Sequence, residues 1–321
     1  MLSYMKSSTS KDDFNANRIS NVGDDTISDI SIGDNMVAIG SWDGSVRIYK
    51  KMGLNLSPFV LYENLGAPVT CVLLINDAIC VAGLVDGNLV IMNDFNNVNS
   101  KQVKKVHENI IKKICFFNNQ FIITASFDGF YKVFDSSFNE VHSQNVNAKI
   151  YCMDCSNGHL ALGLSDKKVV YVDLNNNIVQ NFNTKAEYAI RSISILSTQY
   201  GCEIAVGTVE GKIEILNTKD VNNSVVLRLH RADDKLYSIN QTEILSQKSV
   251  ITAGSDGALY LNDKSTRFKV ATSKYDKPIT AMTIKGKELI FALGDDWSKG
   301  FQPQSIRTEL LIADLSRFNI N

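Results

Sequence analysis

The sequence lacks long apolar runs, a dense set of cysteines and an excess of either charge, and each absence excludes a class of protein. No stretch approaches the roughly 18 apolar residues of a membrane-spanning helix, and residues 1–17 are polar, without the apolar block of a secretion signal. The 6 cysteines in 321 residues are too sparse for a disulfide framework and favour buried, reduced thiols in an intracellular protein. A net charge of −1 argues against bulk electrostatic attraction to nucleic acid or membranes.

Patterns of catalytic and metal-binding residues are missing as well. The sequence contains no nucleophile elbow, no phosphate-binding loop and no paired carboxylates. Cys152, Cys155 and His159 lie close together in the sequence, but a structural zinc site usually takes its ligands from two pairs, and a second pair is missing. In an extended strand, Cys152 and Cys155 would also point to opposite faces. We therefore predict a protein that is not an enzyme and that uses no metal, cofactor or small-molecule substrate.

The sequence does contain one pattern that is repeated along the chain. A short apolar run leads into small residues, an acidic residue with glycine and a second alternating run, as in residues 250–261 (Val-Ile-Thr-Ala-Gly-Ser-Asp-Gly-Ala-Leu-Tyr-Leu). Asp-Gly between two such runs indicates a hairpin, because glycine adopts the positive φ that the turn requires. The acidic turn positions recur at intervals of 38 to 46 residues and are Asp43, Asp86, Asp128, Asp166, Glu210, Asp256 and Asp295.

This repeat predicts an all-β fold, a seven-bladed WD-repeat β-propeller, because strand–turn–strand units with a period of about 40–45 residues are typical of that fold. Helical periodicity is absent, which excludes the helical repeats of similar length. We expect residues 18–321 to form a single domain after a flexible polar leader over residues 1–17. Since an open ring leaves exposed sheet edges, we expect the segment Arg18 to Asn21 to close the last blade beside Leu310 to Ala313.

The turn residues Asp43, Asp86, Asp128 and Asp256 are expected to be structural. In WD-repeat blades, a histidine in the loop before the first strand often bonds the turn aspartate. His107 lies 21 residues before Asp128, so we expect a structural role for His107 too. Lysine pairs at 50–51, 104–105, 112–113 and 167–168 lack interleaved aromatic residues. They indicate solvated loops or guarded edge strands more than a nucleic-acid site.

The second half of the sequence resembles two sister families of WD-repeat proteins. The segment from Tyr188 to Asn217, the triplet Leu229-His230-Arg231 and residues 276–281 (Asp-Lys-Pro-Ile-Thr-Ala) are similar to the messenger-RNA export factors of the nuclear pore, of the Rae and Gle type, and to the spindle-checkpoint propellers of the Bub type. Residues 296–300 (Asp-Trp-Ser-Lys-Gly) resemble the export factors alone. The sequence departs from both families because no blade ends in Trp-Asp, and because Lys212 stands where Arg is common.

The resemblance implies a non-enzymatic scaffold that supports messenger-RNA export, located in the nucleus, at the nuclear pore complex and also in the cytoplasm. Both families bind a short hairpin-forming peptide, the Gle-binding-sequence motif, which the export factors take from a nucleoporin. Adjacent glutamates of this peptide meet basic residues of the propeller in charge-assisted contacts. By position, the resemblance implies Arg191 and Lys212 as these contacts, with Arg231 as a further one. Two alternatives stay open: a kinetochore adaptor that binds checkpoint kinases, and a propeller that binds RNA or ribonucleoprotein directly.

The two tryptophans have different expected roles. Trp42 follows the second strand of the first blade at the rim of the propeller, where exposed aromatic residues are frequent interface anchors. The alternative for Trp42 is packing between the first and last blades. Trp297 is expected to be structural, with Asp296 and Lys299 fixing a long loop in the last blade.

Overall fold

The protein forms a ring of antiparallel sheets. The computed structural model describes residues 12–19, 22–23, 25–220, 223–232, 234–296, 307–318 and 320. This part of the chain contains strands β1 to β30, arranged as seven four-stranded sheets and one two-stranded hairpin. No helix in these residues is long and apolar enough to cross a membrane. The predicted all-β, seven-bladed propeller is confirmed.

Each sheet is one blade, and in blades 1 to 6 its four strands follow one another in the sequence. Blade 1 consists of β2 (Ile27–Ile32), β3 (Met36–Ser41), β4 (Val46–Lys51) and β5 (Leu56–Tyr62). Blade 2 consists of β6 (Val69–Ile75), β7 (Ile79–Leu84), β8 (Asn88–Met92) and β9 (Lys101–Lys105). Blade 3 consists of β10 (Ile111–Phe117), β11 (Phe121–Ser126), β12 (Phe130–Phe134) and β13 (Glu140–Asn145).

Blades 4 to 6 follow the same order, with a short hairpin between blades 5 and 6. Blade 4 consists of β14 (Ile150–Ser156), β15 (His159–Leu164), β16 (Lys168–Asp173) and β17 (Ile178–Asn183). Blade 5 consists of β18 (Ile190–Thr198), β19 (Gly201–Thr208), β20 (Lys212–Asn217) and β21 (Val225–Arg228), and the hairpin that follows it consists of β22 (Arg231–Ala232) and β23 (Lys235–Leu236). Blade 6 consists of β24 (Ile239–Ile244), β25 (Ser249–Gly254), β26 (Ala258–Asp263) and β27 (Lys269–Lys274).

Blade 7 combines the two ends of the described chain. Its strands are β28 (Ile279–Lys285), β29 (Glu288–Leu293), β30 (Glu309–Asp314) and β1 (Asn17–Ile19). Strand β1 pairs antiparallel with β30, with Arg18 opposite Leu311. The expected closing pair is therefore present from Asn17 to Ile19, while Ser20 and Asn21 lie outside the described residues. Strand β1, from the beginning of the described chain, is therefore the outermost strand of blade 7.

The chain just before β1 also packs onto the propeller. Phe14 is only 1% exposed, and its ring centroid lies 5.2 Å from that of Phe318. Asp12 accepts a hydrogen bond from Ser273 Oγ at 2.5 Å and so ties the segment to blade 6. The expected flexible leader over residues 1–17 thus differs from the structure from Asp12 onward. Its polar composition concealed the one apolar side chain that anchors it.

The hydrophobic core lies between neighbouring blades. The blade 1–blade 7 cluster, for example, joins Ile27 and Ile39 to Ile290 and Ile312. Both faces of an inner sheet are covered, so its strands are apolar without alternation. Gly83 shows how closely the blades approach, since a Cβ there would lie 2.6 Å from Cys71 Sγ and 2.8 Å from a methyl group of Ile111.

The first strand of every blade lies innermost, and these inner strands contact one another around a closed ring. The inner strands begin on the same face that carries the turns at Asp43, Asp86, Asp128 and Asp256, and we call it the upper face. In each of these turns the aspartate accepts the backbone N–H two residues later, at distances from 2.9 to 3.1 Å. In blade 4, Lys167 adopts the left-handed conformation, with φ of 67°, in place of glycine.

Candidate functional site

Two blades carry a buried hydrogen-bonded chain beneath the upper face. In blade 3, His107 Nδ1 lies 2.9 Å from Asp128 Oδ2, and His107 Nε2 lies 2.7 Å from Thr124 Oγ1. Burial lowers the pKa of His107, although the Asp128 carboxylate acts in the opposite sense. The chain connects the loop before β10 to the turn after β11. Its role is therefore structural.

The second chain lies in blade 6 and involves a histidine that sequence reasoning missed. His230 is fully buried, with Nδ1 at 2.8 Å from Asp256 Oδ1 and Nε2 at 2.9 Å from Thr252 Oγ1. Burial alone would raise the pKa of Asp256, but the hydrogen bond and charge interaction with His230, together with the Ala258 N–H and the Lys274 charge, outweigh burial and hold this pKa below its usual value. A signal was present, because His230 precedes Asp256 by 26 residues, much as His107 precedes Asp128.

A cavity opens at the centre of the upper face. Its opening is lined by residues from the first, innermost strand of every blade. Each inner strand has a β-bulge near its beginning. A bulge redirects a side chain that the regular pleat would place elsewhere, and here every bulged residue lines the cavity. We call these residues the bulge ring: Ser28, Thr70, Lys112, Tyr151, Arg191, Asn240 and Thr280.

Two of the four residues implied as peptide contacts meet at this cavity. Arg191 belongs to the bulge ring and is exposed, and among the described residues its one hydrogen bond is long, 3.4 Å from Nε to Asn240 Oδ1. Trp42 lines the same cavity and is 39% exposed. Its backbone N–H is fixed by the carbonyl of Thr26 at 3.1 Å. A guanidinium and an indole are thus presented together at one opening.

The other two implied contacts lie away from the cavity lining. Lys212 begins β20, and its ammonium forms an ion pair with Glu187, whose side chain is 62% exposed. This contact with Lys212 lowers the pKa of Glu187. Arg231 is exposed on the β22–β23 hairpin. The structure therefore separates Lys212 and Arg231 from the opening that Arg191 and Trp42 share.

The lysine pairs are mostly occupied by contacts within the protein. Lys113 binds Asp29 at 2.9 Å, Lys168 binds Asp166 at 2.8 Å, and Lys50 lies 4.0 Å above the Phe59 ring. The remaining partners are Glu288 for Lys51 and the backbone carbonyls of Phe138, Asp86 and Glu187 for Lys104, Lys105 and Lys167. Among the described residues, only Lys112 of these eight lysines has no such partner. Scattered and occupied lysines do not form the continuous basic surface that a nucleic-acid backbone requires.

Two carboxyl groups further along the inner strands also line the cavity, Asp154 on β14 and Glu243 on β24. Burial, reinforced by the Asp154 charge, raises the pKa of Glu243 to about 8. Burial also raises the pKa of Asp154, even though this carboxyl accepts the Ile195 N–H at 2.8 Å. Across the described ranges, no group of three or more histidine, cysteine, aspartate or glutamate side chains could hold a metal ion.

The other residues singled out from the sequence either form hydrogen bonds within the protein or lie outside the described residues. Cys155 Sγ donates to the Phe116 carbonyl at 3.6 Å, and His159 Nδ1 lies 2.8 Å from the Tyr171 hydroxyl. Asp296 accepts a hydrogen bond from Asn240 Nδ2 at 3.0 Å. Trp297 and Lys299 are outside the described residues.

Comparison with known proteins places the chain near two groups of WD-repeat proteins. The mRNA export factor rae-1 of Caenorhabditis elegans is 26% identical over 294 residues, covering 83% of this chain and 78% of that protein. Protein Rae1 of Drosophila melanogaster is 25% identical over 291 residues, covering 84% and 83%. The mitotic checkpoint protein bub-3 of C. elegans is 21% identical over 301 residues, covering 85% and 84%. No family model matches the chain.

Solved structures support the fold independently. The structure of U3-55K superposes with a TM-score of 0.79, covering 95% of this chain and 100% of that one. The identity is 13%, so this similarity concerns the fold alone. The resemblance seen in the sequence is confirmed, and the protein is a seven-bladed WD-repeat propeller related to the mRNA export factors and, at lower identity, to a mitotic checkpoint protein.

Proposed function

We propose that the protein is a non-enzymatic scaffold of messenger-RNA export that docks an acidic Gle-binding-sequence peptide of a nucleoporin on its upper face. The observation that carries this proposal is the opening shared by Arg191 and Trp42. Its relatives include the mRNA export factor rae-1 of C. elegans and Protein Rae1 of D. melanogaster. The expected location is therefore the nucleus and its pores, with a cytoplasmic fraction.

The chemistry of the opening fits an acidic peptide. Within the described part of the chain the Arg191 guanidinium makes one weak hydrogen bond, so its other donors can bind a glutamate in a bidentate contact. Trp42, on blade 1 of the same cavity, offers a rigid apolar surface, and tryptophan is enriched among residues that dominate binding energy. A peptide that pairs a glutamate with an apolar residue would use both features.

Lys212 and Arg231 have secondary roles in this proposal. Lys212 already holds Glu187, and because Glu187 is largely exposed, a glutamate of the peptide can replace it without breaking the core. The net gain is small, since one exposed ion pair is exchanged for another. Arg231 contributes longer-range attraction from the adjacent hairpin.

A titration with a nucleoporin peptide containing adjacent glutamates tests the proposal. Arg191→Glu should weaken binding by at least about 30-fold, because a charge pair becomes a repulsion. Lys149→Glu is the matched control, since Lys149 is exposed on the same face and lies outside the cavity lining. Equal affinity of the wild type and Arg191→Glu would contradict the site.

A role as a checkpoint adaptor is the second candidate, favoured by the similarity to a mitotic checkpoint protein. Both roles use a peptide-docking propeller, so imaging of a tagged protein distinguishes them. Signal at the nuclear rim in interphase supports export, whereas signal at unattached kinetochores supports the checkpoint. Direct RNA binding ranks below both, because most lysines of the basic pairs are engaged within the protein.

A further inference from the structure

Two cysteines meet where blade 3 packs against blade 4. Cys115 lies on β10 and Cys155 on β14, the innermost strands of these blades. Both side chains take part in the hydrophobic cluster between the two blades, where Cys115 is 7% exposed and Cys155 is half-buried. Neither residue belongs to the described lining of the central cavity, so the pair is separate from the proposed docking site.

The two thiols are in contact with each other. A hydrogen bond between the Cys115 and Cys155 side chains is the largest of the effects that raise the pKa of Cys115. The backbone gives the same placement, because Cys155 Sγ donates to the carbonyl of Phe116, the residue next to Cys115, at 3.6 Å. A disulfide requires an S–S distance of about 2.0 Å. Rotation about one Cα–Cβ bond can bring two sulfurs in such contact to this distance.

This contact distinguishes the pair from the other cysteines of the protein. Cys71 Sγ donates to a backbone carbonyl at 3.4 Å, and Cys202 Sγ lies 3.9 Å from the Tyr171 hydroxyl. In the described part of the chain, no second pair of cysteine side chains is in contact. All six cysteines are free thiols, so Cys115 and Cys155 are available to react as a dithiol.

The two thiols differ in protonation and in access. The contact with Cys155, followed by burial, holds the pKa of Cys115 well above its usual value, so Cys115 keeps its proton near neutral pH. Cys155 is the more accessible of the two. Oxidants attack a thiolate that they can reach. Cys155 therefore meets an oxidant first, and the neighbouring Cys115 is placed to react with the product.

We propose that Cys155 is a site of reversible oxidation by hydrogen peroxide and that Cys115 resolves the oxidised form into a disulfide between blades 3 and 4. In the first step the deprotonated Cys155 sulfur attacks one oxygen of the peroxide, so that an S–O bond forms and the O–O bond breaks. Cys155 becomes a sulfenic acid. The hydroxide that leaves takes up the proton lost by the thiol and becomes water.

The second step forms the disulfide. Cys115 gives up its proton, and its sulfur attacks the Cys155 sulfur, so that the S–S bond forms and the S–O bond breaks. The oxygen leaves as water. The two thiols have then lost two electrons, and hydrogen peroxide has been reduced to two water molecules. Two molecules of glutathione can reverse the oxidation by thiol–disulfide exchange and leave as their own disulfide.

The disulfide would stabilise the ring against unfolding. It links β10 to β14 and closes a loop of the chain between residues 115 and 155, which reduces the entropy of the unfolded chain. The oxidised protein should therefore unfold at a higher temperature than the reduced protein. Cys155 is the second-to-last residue of β14, at the end opposite the upper face. The inference therefore does not depend on the proposed function.

The test is peptide mapping of the full-length protein, folded and treated with hydrogen peroxide. After removal of the oxidant, free thiols are blocked during unfolding, and linked peptides are identified by mass spectrometry without reduction. The wild type should yield a peptide pair that is joined through Cys115 and Cys155 and is lighter by two hydrogen atoms than its separate parts. Dithiothreitol should release the two peptides and lower the midpoint of thermal unfolding to that of the untreated protein.

Three serine variants separate the roles of the thiols. Cys155→Ser should abolish the link and leave Cys115 unmodified. Cys115→Ser should still be oxidised at Cys155 and should trap the sulfenic acid, which dimedone labels. Cys152→Ser is the matched control, since Cys152 is a half-buried cysteine on the same strand. This variant should form the link as the wild type does.

The wild-type protein alone can refute the proposal. Absence of the Cys115–Cys155 link after peroxide treatment would overturn it, and this measurement needs neither a variant nor a folding control. A link that joins Cys155 to Cys152, or dimedone labelling of Cys115 in place of Cys155, would overturn it as well. The proposal also fails if peroxide raises the unfolding midpoint of Cys155→Ser as much as that of the wild type, since the gain would then not come from this disulfide.

Discussion

Replacing Asp256 by alanine should destabilise the propeller strongly, because two donors then lose their acceptor. His230 Nδ1 at 2.8 Å and the Ala258 N–H at 3.1 Å both bond to Asp256 Oδ1. A buried donor left without an acceptor costs about 1–3 kcal/mol, so the loss should reach about 2–6 kcal/mol in the free energy of unfolding. His230 is fully buried, so water cannot easily replace the carboxylate.

Equilibrium unfolding in urea measures this change, and Asp166→Ala is the matched control. Asp166 occupies the same turn position in blade 4, but its side chain is exposed and pairs with the exposed Lys168. Its replacement should cost no more than about 1 kcal/mol. If Asp256→Ala lowered stability no more than Asp166→Ala, the buried hydrogen bonds of His230 and Asp256 would contribute no more to stability than an exposed ion pair. That result would refute the reasoning.

The effect of Asp256→Ala on the free energy of unfolding should also depend on pH. Burial raises the pKa of Asp256, but the contacts with His230, the Ala258 N–H and the Lys274 charge together hold it below its usual value. A carboxyl with a lowered pKa in the folded state stabilises the protein above its unfolded pKa of about 4, and this stabilisation is lost as pH falls through the folded pKa. The difference in stability between the wild type and Asp256→Ala should therefore shrink below about pH 4. A constant difference down to pH 2 would contradict this linkage.

Two further variants test the closure of the ring and the anchor at the cavity. Phe14→Ala should cost about 3–5 kcal/mol in the free energy of unfolding, because a buried aromatic side chain leaves a cavity. The control is Arg18→Ala, which removes an exposed ion pair with Glu309 and should cost no more than about 1 kcal/mol. An equal effect of both would contradict the packing of this segment. Trp42→Ala should weaken peptide binding by about 2 kcal/mol or more without changing the unfolding midpoint. Retained affinity in the calorimetric titration would exclude Trp42 as an anchor.

The repeat in the sequence was sufficient to predict the fold because each blade contains the residues that specify its own strands and turn. Asp-Gly at the turn after the second strand recurs with apolar runs on both sides, and these signals depend on neighbours in sequence. Even blade 4, which has Asp166-Lys167, keeps the same turn, since lysine there accepts a positive φ. The closing pair of β1 with β30 was expected because a ring must not leave an open edge.

The site was less predictable because it depends on contacts between distant residues. The bulge ring could not be read from the sequence, since a bulge breaks the two-residue alternation from which side-chain direction is inferred. The partner of Lys212 is Glu187, 25 residues away, and the unpaired state of Lys112 follows only from tertiary structure. Phe14 escaped notice because one apolar residue in a polar segment has no period. His230 could have been found from its spacing to Asp256.

The central claim, an acidic peptide bound by Arg191, is tested most directly by a double-mutant cycle. Arg191→Gln in the protein is combined with Glu→Gln at each of the two adjacent glutamates of the nucleoporin peptide, and all four dissociation constants of each cycle are measured by calorimetry. A direct contact predicts a coupling energy of about 1.5 kcal/mol or more with one of the glutamates. A coupling energy near zero with both glutamates would contradict the account, whatever the effect of the single variants.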